Sequence, residues 1–205
     1  MDGLSWFLIA AIGVFWLQTQ VQRQRVGLLA QHLAPTQVEK ILGTLIDGYL
    51  NAAAEASPER QQQMWLQLNQ QEQRLVEHFQ RFVDGFAKEP ADHTRVSTLP
   101  WALPYFDRIF PRYSFDMREA LQLHAQAIRS ACAPDELQGA ARRDRAFTMT
   151  AELLLMQHTC HWFGKSRTVA SVRLLARHKT PYEKVLQSVQ PSTRQAYLRL
   201  VGATT

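Results

Sequence analysis

The sequence predicts an all-α protein, with an N-terminal transmembrane helix over residues 1–33 and a helical globular domain of about six to seven helices over 36–205. Three observations carry this. Apolar residues recur at three- and four-residue spacing in most stretches between prolines. No stretch shows a convincing period-two alternation. One run near the N-terminus holds no charge at all. The length of 205 residues suits a single domain with a real core, and 46% hydrophobic with 20% charged residues excludes wholesale disorder.

Leu4–Leu17 reads LSWFLIAAIGVFWL, fourteen residues with Ser5 as the sole polar side chain. As a helix it covers about 21 Å, against about 30 Å of bilayer hydrocarbon. The charge-free stretch is longer, Gly3 to Gln22, twenty residues or about 30 Å. Eight Leu, Ile, Val and Phe residues favour insertion by about −2.4 to −4.8 kcal/mol, opposed by Gln18, Gln20 and Gln22. A signal peptide is disfavoured, because Met1-Asp2-Gly3 is not a positive n-region and no small-residue cleavage pattern follows. An interfacial helix needs a charged face that this run lacks. A buried core helix is the serious competitor. Arg23 and Arg25 follow the run and Asp2 precedes it, which places the N-terminus outside and the C-terminal domain in the cytoplasm of a single-pass protein of the cell inner membrane.

The first helix extends to about Leu33, where Ala34-Pro35 stops it. Thr36-Gln37-Val38-Glu39 has the form of a capping box, opening a helix with the stripe Val38, Ile41, Leu42, Leu45, Ile46 and Leu50. Ser57-Pro58 starts a long glutamine-rich helix to about Lys88, striped by Met64, Leu68, Leu75, Phe79, Phe82 and Phe86. Residues 89–113 break the pattern with Pro90, Pro100, Pro104 and Pro111, and crowd Trp101, Tyr105, Phe106, Phe110 and Tyr113 between them. Such a segment either packs across the body, the favoured expectation, or forms a docking surface through Trp101, Tyr105, Phe106 and Phe110. Helical spacing returns from Ser114. Pro134 opens a helix whose run Leu153–Met156 is the expected centre of the core, with Gly164 as C-cap. Shorter helices follow at about 166–178, from the second capping box Thr180-Pro181-Tyr182-Glu183, and from Pro191 to Leu200.

Charge is unevenly placed. Residues 1–138 hold 12 Lys/Arg against 15 Asp/Glu, and residues 139–205 hold 11 against 3, nets of −3 and +8. The basic third points to a polyanionic partner, with Arg142, Arg143, Arg145, Lys165, Arg167, Arg173, Arg177, Lys179 and Arg194 as the candidate residues for nucleic acid, anionic lipid or an acidic protein. Its three short helices have a helix-turn-helix outline, with Ser192-Thr193-Arg194-Gln195 heading the last.

Chemistry is sparsely signalled. His158 and His161 lie on one helix face but lack the paired spacing of a metal motif, with only His124 or Cys132 to add. No nucleophile elbow, zincin motif or phosphate loop occurs, and Glu152 is expected to pair with Arg142 or Arg145. Cys132 and Cys160 are too few for a disulfide framework. The expectation is a non-enzymatic accessory or scaffold subunit, without metal or cofactor, of a membrane complex such as a secretion or conjugation apparatus. Its protein-protein interactions are with other subunits or a second copy. The alternative is a membrane-tethered nucleic-acid-binding module.

Overall fold

The structure, a computed structural model, describes residues 3–101, 103–132 and 139–202. It is helical almost throughout, as expected: α1 Gly3–Leu33, α2 Val38–Ala54, α3 Pro58–Phe86, the single turns α4 Ala91–Thr94 and α5 Phe106–Ile109, α6 Met117–Ala131, α7 Gly139–Gly164, α8 Arg167–His178, α9 Tyr182–Ser188 and α10 Pro191–Leu200. The expected helix start at Pro134 lies outside the described residues.

The core forms around α7, which touches α1, α2, α6, α8 and α9. All six residues from Ala151 to Met156 are buried, because neighbours close on this helix from every side. Against it, α3 lays an aromatic row. Phe79 meets Phe82 at 5.7 Å, Phe82 meets Phe86 at 6.0 Å, and Phe86 meets Phe163 of α7 edge-on at 5.7 Å. Helices α2 and α3 pack closely where Gly48 faces Leu68. A Cβ at Gly48 would stand 2.4 Å from the Leu68 Cδ2, so the approach requires a residue without one.

Several local expectations are corrected. Thr36 does not cap α2: its hydroxyl donates back to Leu33 O at 2.7 Å, and Gln37, in the left-handed region, precedes the helix. The stripe of α2 buries Tyr49 in place of Leu50, which is exposed. The second capping box also fails to form, since Thr180 donates to His178 O and Pro181 takes the cap position. Ser57 and Ser166 do cap, accepting from Arg60 N and Val169 N.

Two three-residue strands, β1 Arg95–Ser97 and β2 Ser114–Asp116, pair antiparallel with Val96 opposite Phe115. Three residues are too few to display alternation in sequence. The pair pins both ends of the intervening proline- and aromatic-rich segment.

The second half of α1 belongs to the packed body. Leu28, Leu29 and Leu33 pack against the core, and Arg25 donates to Asp107 Oδ2 and to Arg95 O, both at 2.9 Å. The first half does not. Every residue from Trp6 to Leu17 is exposed, so α1 projects from the body as a bare apolar rod of about 18 Å. Among the described residues no helix is long and apolar enough to cross a membrane. The expected span therefore has no support of its own. The physical reason is that α1 begins to pack on the body at Gln18, before its uncharged stretch has ended.

Candidate functional site

Two surfaces stand out, and the first is the projection with its surroundings. Where α1 leaves the body, Lys165 Nζ donates to Gln22 Oε1 at 3.0 Å. Trp101, Leu103 and Pro104 line a cleft there with Gln18, Val21 and Gln22. The aromatic segment is not packed away, contrary to the favoured expectation. Trp101 is 69% exposed and Ile109 66%, while Phe110 and Tyr105 are exposed and Phe106 half-buried. Phe106 stacks at 4.9 Å on Phe110, so these rings brace one another on the surface.

The second surface is a groove of about 520 Å³ between α1, α2, α7 and α8. Its floor includes Leu29, Leu33, Leu42, Ile46 and Met156, and Lys165, Arg173 and Arg177 stand along its α8 side. A Cβ at Gly43 would meet nothing within 4 Å, so the space above that residue is open. His161 reports the local potential: burial first, then Arg173, Arg177 and His178, hold its pKa below the ordinary value. Beyond His178 a second cleft gathers Arg143, Arg177 and Lys179 beside exposed Leu50 and Phe147.

The nine basic candidates thus divide. Arg143, Lys165, Arg173, Arg177 and Lys179 line these clefts. Arg145 points inward instead, donating to both Glu72 oxygens and to Ala131 O. Arg142 lies over the Trp65 ring and donates to Asn69 Oδ1 at 3.0 Å. Arg167 lies over Trp162 and Tyr182. Arg194 is exposed on α10, but its neighbour Thr193 is buried and bonded to Glu152, so the head of that helix is partly turned into the core.

The polar interior lacks the geometry of a catalytic constellation. His158 Nε2 lies 3.1 Å from Ser171 Oγ, a nucleophile–base distance, but the imidazole stacks at 4.4 Å on Tyr182. Burial, with Arg167 adding, pushes its pKa down to about 3, which makes it a feeble base. Its Nδ1 has no hydrogen-bond partner among the described residues, so no carboxylate orients it. Glu152 accepts from Gln190 N at 2.9 Å rather than from Arg142 or Arg145, and burial raises its pKa. His124 bonds to Thr159, which bonds to Tyr197. Among the described residues no three His, Cys, Asp or Glu groups are placed to hold a metal ion, and both cysteines are free and buried. Compared with known proteins, the chain matches no family model, no curated protein and no solved structure.

Glu72 and Tyr49 were missed by sequence reasoning. Tyr49 donates to Glu72 at 2.7 Å, completing a buried cluster with Arg145. Glu72 sits among glutamines on a polar-looking stretch of α3, and its partner is 73 residues away, so no local signal marks it.

Proposed function

We propose that this protein is a membrane-anchored, non-enzymatic accessory subunit of a multiprotein membrane complex, held at the bilayer by the projecting half of α1. One observation carries the reading: twelve consecutive helical residues, Trp6–Leu17, are exposed on all sides, and none is charged. A rod that is apolar all round suits lipid on every side, whereas a single protein partner would cover one face. The rod is shorter than the hydrocarbon layer of about 30 Å, so a full single pass calls on local thinning or partner helices. Arg23 and Arg25 keep the body on the cytoplasmic side in that topology.

The accessory role draws on the groove. An apolar floor with Lys165, Arg173 and Arg177 at its edge fits an acidic amphipathic helix of a neighbouring subunit. A tethered nucleic-acid module is the competing reading of the same row of cations, and buried Thr193 weighs against α10 as its reading helix.

Membranes of cells expressing the full chain, washed with alkaline carbonate and then solubilised in mild detergent, test both parts. The reading expects the protein in the carbonate-resistant pellet and co-purification with stoichiometric membrane partners. Its release by carbonate, or salt-sensitive recovery with nucleic acid alone, would sink it.

A further inference from the structure

The segment between β1 and β2 is built in an unusual way, firmly anchored yet apolar on its outside. The β1–β2 pair fixes its ends. Pro100 O accepts from Thr168 Oγ1 at 2.8 Å, tying it to α8, and Asp107 is ion-paired to Arg25 of α1. A scaffold that rigid has no need to leave Trp101, Leu103, Ile109 and Phe110 in water, but all four are exposed. Trp101 and Leu103 share their cleft with Gln18 and Gln22, the turn at which α1 leaves the body. These side chains therefore stand beside the base of the apolar rod.

Charge follows the same logic. From 95 to 114 the chain carries Arg95, Arg108 and Arg112 against one acid, Asp107. Asp107 is buried and its charge is met by Arg25. Arg112 is exposed, with its guanidinium over the Tyr113 ring, and Lys165 stands at the neighbouring exit of α1. Tryptophan, tyrosine and phenylalanine mixed with arginine and lysine is the composition of a membrane–water interface.

We infer that the 98–113 segment is a second membrane contact, seating Trp101 and Leu103 in the headgroup region beside inserted α1 and meeting anionic phospholipid with Arg112 and Lys165. The inference rests on the membrane reading of α1 and adds an orientation to it, because two contacts on one face set the body flush against the bilayer. The occupant is the lipid interface rather than a second copy of the chain, since the segment continues the apolar surface of α1 and its free charges are all of one sign.

Trp101 provides the probe. Trp65 and Trp162 are buried, so the full-length Trp6→Phe/Trp16→Phe protein reports chiefly on Trp101. It is mixed with phosphatidylcholine–phosphatidylglycerol vesicles carrying bromine either near the glycerol end or near the methyl end of the acyl chains, and flotation is read on the same samples. The expected result is flotation, a blue shift, and stronger quenching by the shallow bromines. Trp101→Ser/Leu103→Ser should partition about tenfold more weakly while still floating at high lipid. Arg112→Gln/Lys165→Gln should lose the gain that phosphatidylglycerol gives over phosphatidylcholine alone. Flotation with unquenched Trp101 overturns this inference and leaves the α1 anchor standing, as does a concentration-dependent dimer that Trp101→Ser/Leu103→Ser abolishes. Failure to float overturns both.

Discussion

Arg145 of α7 and Glu72 of α3 form a two-pronged ion pair inside the protein, with Nη1–Oε2 at 2.9 Å and Nη2–Oε1 at 3.0 Å. Tyr49 of α2 donates to the same carboxylate, so one buried group binds three helices together. Burial works against the Arg145 charge, but Glu72 outweighs it and raises the pKa. Removing one partner leaves the other charge stranded, whereas an apolar replacement of the whole cluster leaves none. Arg145→Met should therefore lose about 3 kcal/mol in urea unfolding, while Tyr49→Phe/Glu72→Leu/Arg145→Met recovers most of it. Arg143→Ala, at an exposed position, should change stability by less than about 0.5 kcal/mol. Equal losses for Arg143 and Arg145 would contradict the division of the basic residues into surface and interior.

The α2–α3 approach gives a steric prediction. Gly48→Val places a branched side chain against Leu68, which is itself buried, and should cost about 1–3 kcal/mol. Gly43→Ala, on the same helix over open space, should be neutral or stabilising by up to about 1 kcal/mol. Thermal unfolding of the two variants side by side reads the difference. A harmless Gly48→Val would mean that the helices are not so close.

Acidification should destabilise the protein through two histidines. Burial pushes both His124, packed against Thr159 and Tyr197, and His158, packed against Ser171, Trp162, Tyr182 and Arg167, down from 6.5 to about 3. The unfolded chain binds protons at 6.5 that the folded chain refuses. Stability is therefore complete above about pH 6.5 and falls toward pH 3, by up to about 1.4 kcal/mol per pH unit for each histidine. Glu152 opposes this, because its raised pKa favours the protonated folded state above 4.5. The net prediction is a falling unfolding midpoint from pH 6.5 to 4.5, with a shallower fall in His124→Gln/His158→Gln. A midpoint that is flat across this window in the unsubstituted protein would contradict it.

The helical elements were legible because their apolar stripes and prolines are local signals. The run Leu153–Met156 marked the centre of the core, and Ser57-Pro58 and Pro191 marked helix starts that the structure keeps. What escaped depends on distant parts of the chain. Arg145 and Arg143 are two residues apart in a basic cluster, and only the position of Glu72 decides that one turns inward. The outward turn of Trp101 is likewise set by β1, β2 and Thr168 rather than by its neighbours. The shortfall of α1 as a span was visible in its glutamines, but that Gln18 already packs on the body was not.

Flotation of the purified full chain on vesicles of neutral phosphatidylcholine at high salt tests the central claim most directly, because it silences the basic surfaces and leaves the apolar rod to act alone. The account predicts that the chain rises with the vesicles, and that Phe7→Ser/Ile12→Ser/Phe15→Ser remains below with an unchanged helical circular-dichroism spectrum. A folded chain that stays below, or a serine variant that rises equally well, would contradict it.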